Sequence, residues 1–179
     1  MFGERGYAAA TTDQVAQAAG ISQPYVVRMF GSKEKLFGEV VERAGLRLQE
    51  VFRAAIADAN ERGLGIREKR DHLGRAYIDL VDGGGVLLPL MQSFLLGHDP
   101  VLGPKVRSVF VEIYQGLRDE AGLGAEGARD FLAYGMLINT LLTSDLPALY
   151  DEDPAARELL DMACGSKVRV VLDAAKARA

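Results

Sequence analysis

The stretch TDQVAQAAGISQPYVVRMFGSKEKLF, residues 12–37, decides the fold. It reads as two short helices joined by a tight glycine turn, with a third helix opening behind them. Thr12 is a good N-cap, because its hydroxyl can accept a hydrogen bond from a free N–H of the first turn. Val15, Ala16 and Ala19 fall on one face at helical spacing. Gly20 can take the left-handed conformation that ends a helix, and apolar Ile21 can anchor the turn. Ser22 caps the next helix, with Pro24 in its first turn, where no backbone donor is lost. That helix runs to Phe30 and stops at Gly31. Ser32 opens a third, with Glu34 and Lys35 in its first turn.

Two helices across so short a turn make a helix-turn-helix, whose second helix enters the major groove of DNA. Val26 and Phe30 lie four residues apart and face inward, which leaves Gln23, Tyr25 and Arg28 outward. Arginine can pair with guanine, glutamine with adenine, and tyrosine with phosphate. An ordinary surface helix with an incidental Arg and Tyr has the same composition, so the bare pattern leaves both readings standing.

More residues join the pattern. Gly6-Tyr7, Thr11-Thr12, Val15-Ala16, Ala19-Gly20-Ile21-Ser22, Phe30 and the run Gly31 to Phe37 stand in an order and spacing that resemble the DNA-binding head of the TetR/AcrR family of one-component regulators. The resemblance covers residues 1–45. It implies an all-α homodimeric transcription factor, usually a repressor released by a small ligand. By position, Thr12 and Ser22 match the family's helix caps near phosphates. Gln23, Pro24, Tyr25 and Arg28 match its recognition helix, and Lys33 matches the lysine that opens its fourth helix. Where the family usually has a phosphate-contacting tyrosine, just before Arg28, this chain has Val27, and Tyr25 is the candidate to replace it. Met29 stands where the family often has an aromatic residue or histidine. The family's first helix also extends further on its N-terminal side, so the expectation is either a start upstream of Met1 or a loosely packed head.

The chain has 179 residues and a net charge of −4, which at first sight disfavours a nucleic-acid partner. The charge is local, however. Between Ser22 and Lys35, Arg28, Lys33 and Lys35 face only Glu34, while acid gathers at Asp151, Glu152 and Asp153. Phosphate contacts drive much of DNA affinity, so binding by this small patch should depend steeply on salt. One cysteine, Cys164, excludes an internal disulfide and suits a reducing cytoplasm. No apolar run is long enough for a membrane span.

Downstream, the pattern predicts an all-α chain. A long helix over residues 33–62, with Leu36, Val40, Ala44, Leu48, Val51 and Ala55 as its inner stripe, joins the head (residues 1–45) to a ligand-binding and dimerisation domain (residues 46–179). Further helices are expected over residues 66–82, 86–96, 105–121, 128–144 and 154–176. Tyr77, Met91, Phe94, Phe110, Tyr114, Phe131, Tyr134 and Met136 are the candidate lining of a pocket between helices, for a largely apolar small molecule. The last two helices carry more apolar positions than one core needs, and in the family such a pair forms a dimer bundle. Leu132, Gly135, Leu160, Ala163, Cys164, Val168 and Val171 are the candidate interface.

The chemistry of an enzyme is not assembled. His72 and His98 are the only histidines, both on polar stretches. Cys164 has none near it in sequence, and the acidic run lacks the spacing of a calcium loop. No catalytic residue, metal or cofactor is expected. The expected partners are a double-stranded operator, a small effector and a second copy of the chain. The alternative is a dimeric helical binding protein whose head is impaired for DNA.

Overall fold

The computed structural model describes residues 1–176, and of residues 4, 82, 174 and 176 the backbone alone. The described chain is helical throughout, with no strand among the described residues. In order come α1 (Phe2–Ala9), α2 (Thr12–Ala19), α3 (Gln23–Phe30), α4 (Lys33–Glu61), α5 (Ile66–Asp82), α6 (Leu87–Leu95) and α7 (Leu102–Gln115). A π-helical turn (Gly116–Glu120) extends α7. Then follow α8 (Gly124–Thr143), a short 3-10 turn (Leu146–Leu149), α9 (Pro154–Cys164) and α10 (Val168–Lys176). No described helix is long and apolar enough to cross a membrane.

The last helix expected over residues 154–176 is in fact two. Gly165 turns to φ 51°, ψ −130°, which ends α9, and a 3-10 turn over Gly165–Lys167 leads into α10. Apolar residues continue at helical spacing across this break, so the pattern alone could not reveal it.

The chain packs as two compact units. The first comprises Met1–Gln49 with Gly84–Val111. Its core joins Phe2, Ala16, Val26, Leu36, Phe37 and Val41 to Leu102 and Val106, with Tyr7, Phe30 and Phe94 packed against them. The Phe37 ring lies 5.3 Å from that of Phe2 and 4.9 Å from that of Tyr7. Inside α1, Gly6 leaves the helical region (φ 72°, ψ 179°), a conformation open to glycine. The Tyr7 N–H, turned out of the helical ladder, donates instead to Oε1 of Gln92 on α6. A Cβ at Gly6 would meet the Gln92 amide and displace it, and the positive φ alone already favours glycine here.

The second unit comprises Glu50–Gly83 and the chain from Glu112 onward. One cluster unites Ile78, Leu141, Leu160, Ala163, Cys164 and Val171. Phe52 stacks on Tyr77 at 6.0 Å and meets Phe131 edge-on at 5.8 Å. The buried Tyr77 hydroxyl donates to the side-chain Oδ1 of Asn139, which answers the cost of burying two polar groups. Asn60 donates to the Glu120 carbonyl at 3.2 Å, and Lys69 to the Ala121 carbonyl at 3.4 Å. These bonds satisfy acceptors that the π-helical turn leaves open.

Candidate nucleic-acid interface

The cap of α2 is Thr11, not Thr12. Thr11 Oγ1 accepts from the Gln14 N–H at 3.2 Å, and Gln14 Oε1 accepts from the Thr11 N–H at 3.1 Å. This is the reciprocal capping box, which needs Gln or Glu three residues after the cap. Gln14 is that partner for Thr11; from Thr12 the third residue is Val15, which cannot reciprocate. Thr12 is therefore the first helical residue, half-buried.

The turn is closed by backbone alone. Gly20 is left-handed (φ 67°, ψ 27°). Its N–H reaches the Gln17 carbonyl at 3.2 Å, and the Ile21 N–H reaches that of Ala16 at 3.0 Å. These are the two bonds of a Schellman motif, and they fix the exit direction of the chain. Ser22 then starts α3 with its carbonyl accepting from Tyr25 and Val26, while its hydroxyl makes no capping bond. Pro24 sits in the first turn, and Gly31 (φ 80°) closes the helix.

On α3, Val26 is 2% exposed and Phe30 packs half-buried on the same core. The opposite face is open: Tyr25 is 43% and Met29 53% exposed, and Pro24, Val27 and Arg28 are exposed with them. Gln23 is half-buried at the helix start. The Arg28 guanidinium rests 5.2 Å from the centre of the Tyr25 ring, one helical turn away, so these two side chains already share a surface. Lys33 behaves differently. Its ammonium lies 4.6 Å above the Tyr7 ring and donates to the Ala8 carbonyl at 3.4 Å, so it is turned back onto α1. The Tyr7 hydroxyl in turn donates to Glu34 at 2.9 Å, and partial burial together with that carboxylate raises the phenol above its ordinary range.

The residues expected to line a pocket divide between the units. Tyr77, Phe131 and Tyr134 border a cavity of about 560 Å³ in the second unit. Tyr114 and Met136 belong to that unit but not to the cavity wall. Met91, Phe94 and Phe110 lie in the first unit, where Phe94 and Phe110 meet edge-to-face at 6.0 Å. Three residues expected at an interface, Gly135, Ala163 and Cys164, line the cavity instead. Sequence reading passed over its cationic lining: Arg67, Arg70 and Arg75 from α5, and Lys167 from the turn before α10.

The expected interface residues mostly turn inward. Leu160 is fully buried, and Ala163, Cys164 and Val171 join it in this chain's own core, with Val168 packed against them. Leu132 is half-buried. The outward faces of the same two helices carry Tyr134 and Leu137 on α8, and Leu159 and Met162 on α9, the last 75% exposed. The Tyr134 hydroxyl donates to the Met162 carbonyl at 2.8 Å and ties these faces together. Burial pushes the Cys164 thiol up to about 11, with Asp161 adding to it, so the sulfur is protonated near neutral pH. His72 stands 3.1 Å from the Asp58 carboxylate.

Comparison with the curated proteins gives no match. Residues 1–40 match the family model described as bacterial regulatory proteins, tetR family. That span takes in α1, the capping box of α2, the glycine turn, the open face of α3 and the start of α4. The chain therefore carries the helix-turn-helix head of the tetR family and is a DNA-binding transcriptional regulator.

Proposed function

We propose that the chain works as a homodimeric repressor, which a small ligand releases from a pseudo-palindromic operator. The observation that carries the DNA reading is the polarity of α3: Val26 buried on one side, Tyr25 and Arg28 stacked and open on the other. Gln23, Tyr25 and Arg28 are proposed to meet the major groove. Ser22, whose hydroxyl is not used to cap its own helix, and Thr12 at the start of α2 are proposed to meet phosphate with Pro24 beside them. Lys33 would join them only by leaving the Tyr7 ring.

Dimerisation is proposed through the outward faces of α8 and α9. Leu137, Leu159 and Met162 are exposed apolar residues on neighbouring helices, and such patches mark interaction sites. A two-fold dimer would present its recognition helices about 34–36 Å apart, or a small multiple, to meet successive grooves on one face of the duplex. Leu159 is not needed for the test. The double variant Leu137→Glu, Met162→Glu should keep its fold, because both positions are open in the single chain. It should strand charges in the interface and raise the dimer dissociation constant about a hundredfold or more. Operators can be selected from a random duplex pool with the wild type. Light scattering and gel shifts then read mass and affinity together. A halved mass with lost operator binding supports the proposal. A wild type that is monomeric, or a variant of unchanged mass, contradicts it.

A further inference from the structure

The cavity of the second unit has a sided chemistry. Its floor is apolar, made by Ile78, Phe131, Ile138 and Ala163. Its wall on α5 is basic. Arg67, Arg70 and Arg75 all border the cavity and are exposed, and no described residue forms an ion pair with any of them. Asp71 is the one carboxylate in the lining. Lys167 has its ammonium 3.5 Å from Asp79 on α5, a residue outside the lining, and is in part satisfied there. Cys164 adds no negative charge, since burial keeps its thiol protonated. The Tyr77 hydroxyl is already committed to Asn139. Among the charged groups of the lining, the guanidinium groups of Arg67, Arg70 and Arg75 therefore outnumber the single carboxylate of Asp71.

We propose that this cavity takes an amphipathic organic anion: a flat or acyl apolar body against Phe131 and Ile138, with a carboxylate, sulfonate or phosphate head held by Arg67, Arg70 and Arg75. The proposal deepens the ligand-released repressor reading and rests on it for the ligand's purpose, but not for its chemistry. It replaces the largely apolar effector expected from the aromatic pattern. A volume of about 560 Å³ lies inside the range of small-molecule sites, which are mostly apolar with a few convergent polar groups. Arginine suits the head group because its planar fork pairs two oxygens at once. Arg67, Arg70 and Arg75 are the second, fifth and tenth residues of α5, spread over roughly 140° of the helix, and all three border the cavity.

Two dyes with the same ring system test this. Anilinonaphthalene sulfonate carries the anionic head, and N-phenylnaphthylamine lacks it. Titrated by fluorescence, the full chain should prefer the sulfonate by about tenfold or more, a preference that weakens as salt rises. Arg70→Ala with Arg75→Ala should remove most of that preference while the neutral dye binds as before, which also reports that the fold is intact. Equal affinity for both dyes in the wild type, or a preference unchanged in the double variant, would overturn the proposal. Gel shifts on the selected operator run beside it. Arginine-dependent dye binding in a chain that binds no DNA would support the anion site and sink the regulator reading. DNA binding without any sulfonate preference would sink the anion site alone.

Discussion

Phe37→Ala should strongly destabilise the first unit and weaken operator binding. Phe37 is fully buried and touches the rings of Phe2 and Tyr7. Val26, the residue that turns α3 so that Arg28 faces outward, is buried in the same cluster. Removing a buried ring costs the lost transfer energy and leaves a cavity, together about 3–5 kcal/mol. That is a large share of a typical domain's stability of roughly 5–15 kcal/mol. The cost is greater in effect here, because α2 and α3 are short and hold their shape through packing rather than intrinsic helicity. The expected drop in melting temperature is about 10 °C. Phe37→Leu, which keeps most of the volume, should lose much less. Circular-dichroism melts read the stability and gel shifts the DNA. An unchanged melt with full operator affinity would mean that the head is not held by this ring.

Leu160→Glu should unfold the second unit rather than merely separate a dimer. Leu160 is fully buried among Ile78, Leu141, Ala163, Cys164 and Val171, all in the same chain. No basic side chain belongs to that cluster, so the new carboxylate would be stranded in an apolar core. The expected loss is about 3–5 kcal/mol, with a broadened or missing cooperative transition in urea. The contrast with Leu137→Glu, Met162→Glu separates the two faces of the same helices. The inward change should destroy the fold, and the outward pair should leave a folded monomer. If Leu160→Glu gave a folded monomer with a wild-type urea midpoint, Leu160 would face a partner after all.

Residues 12–37 were legible because their structure is set locally. The Schellman turn at Gly20 and Ile21 and the stop at Gly31 depend on neighbours in sequence, and α3 falls between the residues expected. The cap was misplaced by one because two adjacent threonines both can cap. The decision belonged to Gln14, three residues after Thr11. Leu160, Ala163, Cys164 and Val171, expected at an interface, sit in their own chain's core for a different reason. A 3.6-residue apolar period says that a face is covered, not by what, and Leu160 and Val171 are covered by their own chain. The basic wall was invisible for the converse reason. Arg67, Arg70 and Arg75 read as a solvated face until α8 and α9 supply an apolar floor more than fifty residues later. Lys33 was expected to open the fourth helix beside phosphate, but its seat over Tyr7 depends on α1 and could not be foreseen.

The central claim is that the open face of α3 reads DNA, and Arg28 tests it most directly. Arg28 lies opposite Val26 on α3 and shares its surface with Tyr25. Titrations of wild type and Arg28→Ala, on the selected operator and on random duplex across a range of salt, separate its two possible roles. Pairing with a base edge predicts a loss of about 1–3 kcal/mol per half-site on the operator alone. Contact with phosphate predicts equal weakening on both duplexes and a salt slope lower by about one per subunit. Either outcome with an unchanged melt is what this account predicts. Identical binding curves for Arg28→Ala and the wild type on both duplexes, with the fold intact, would contradict it.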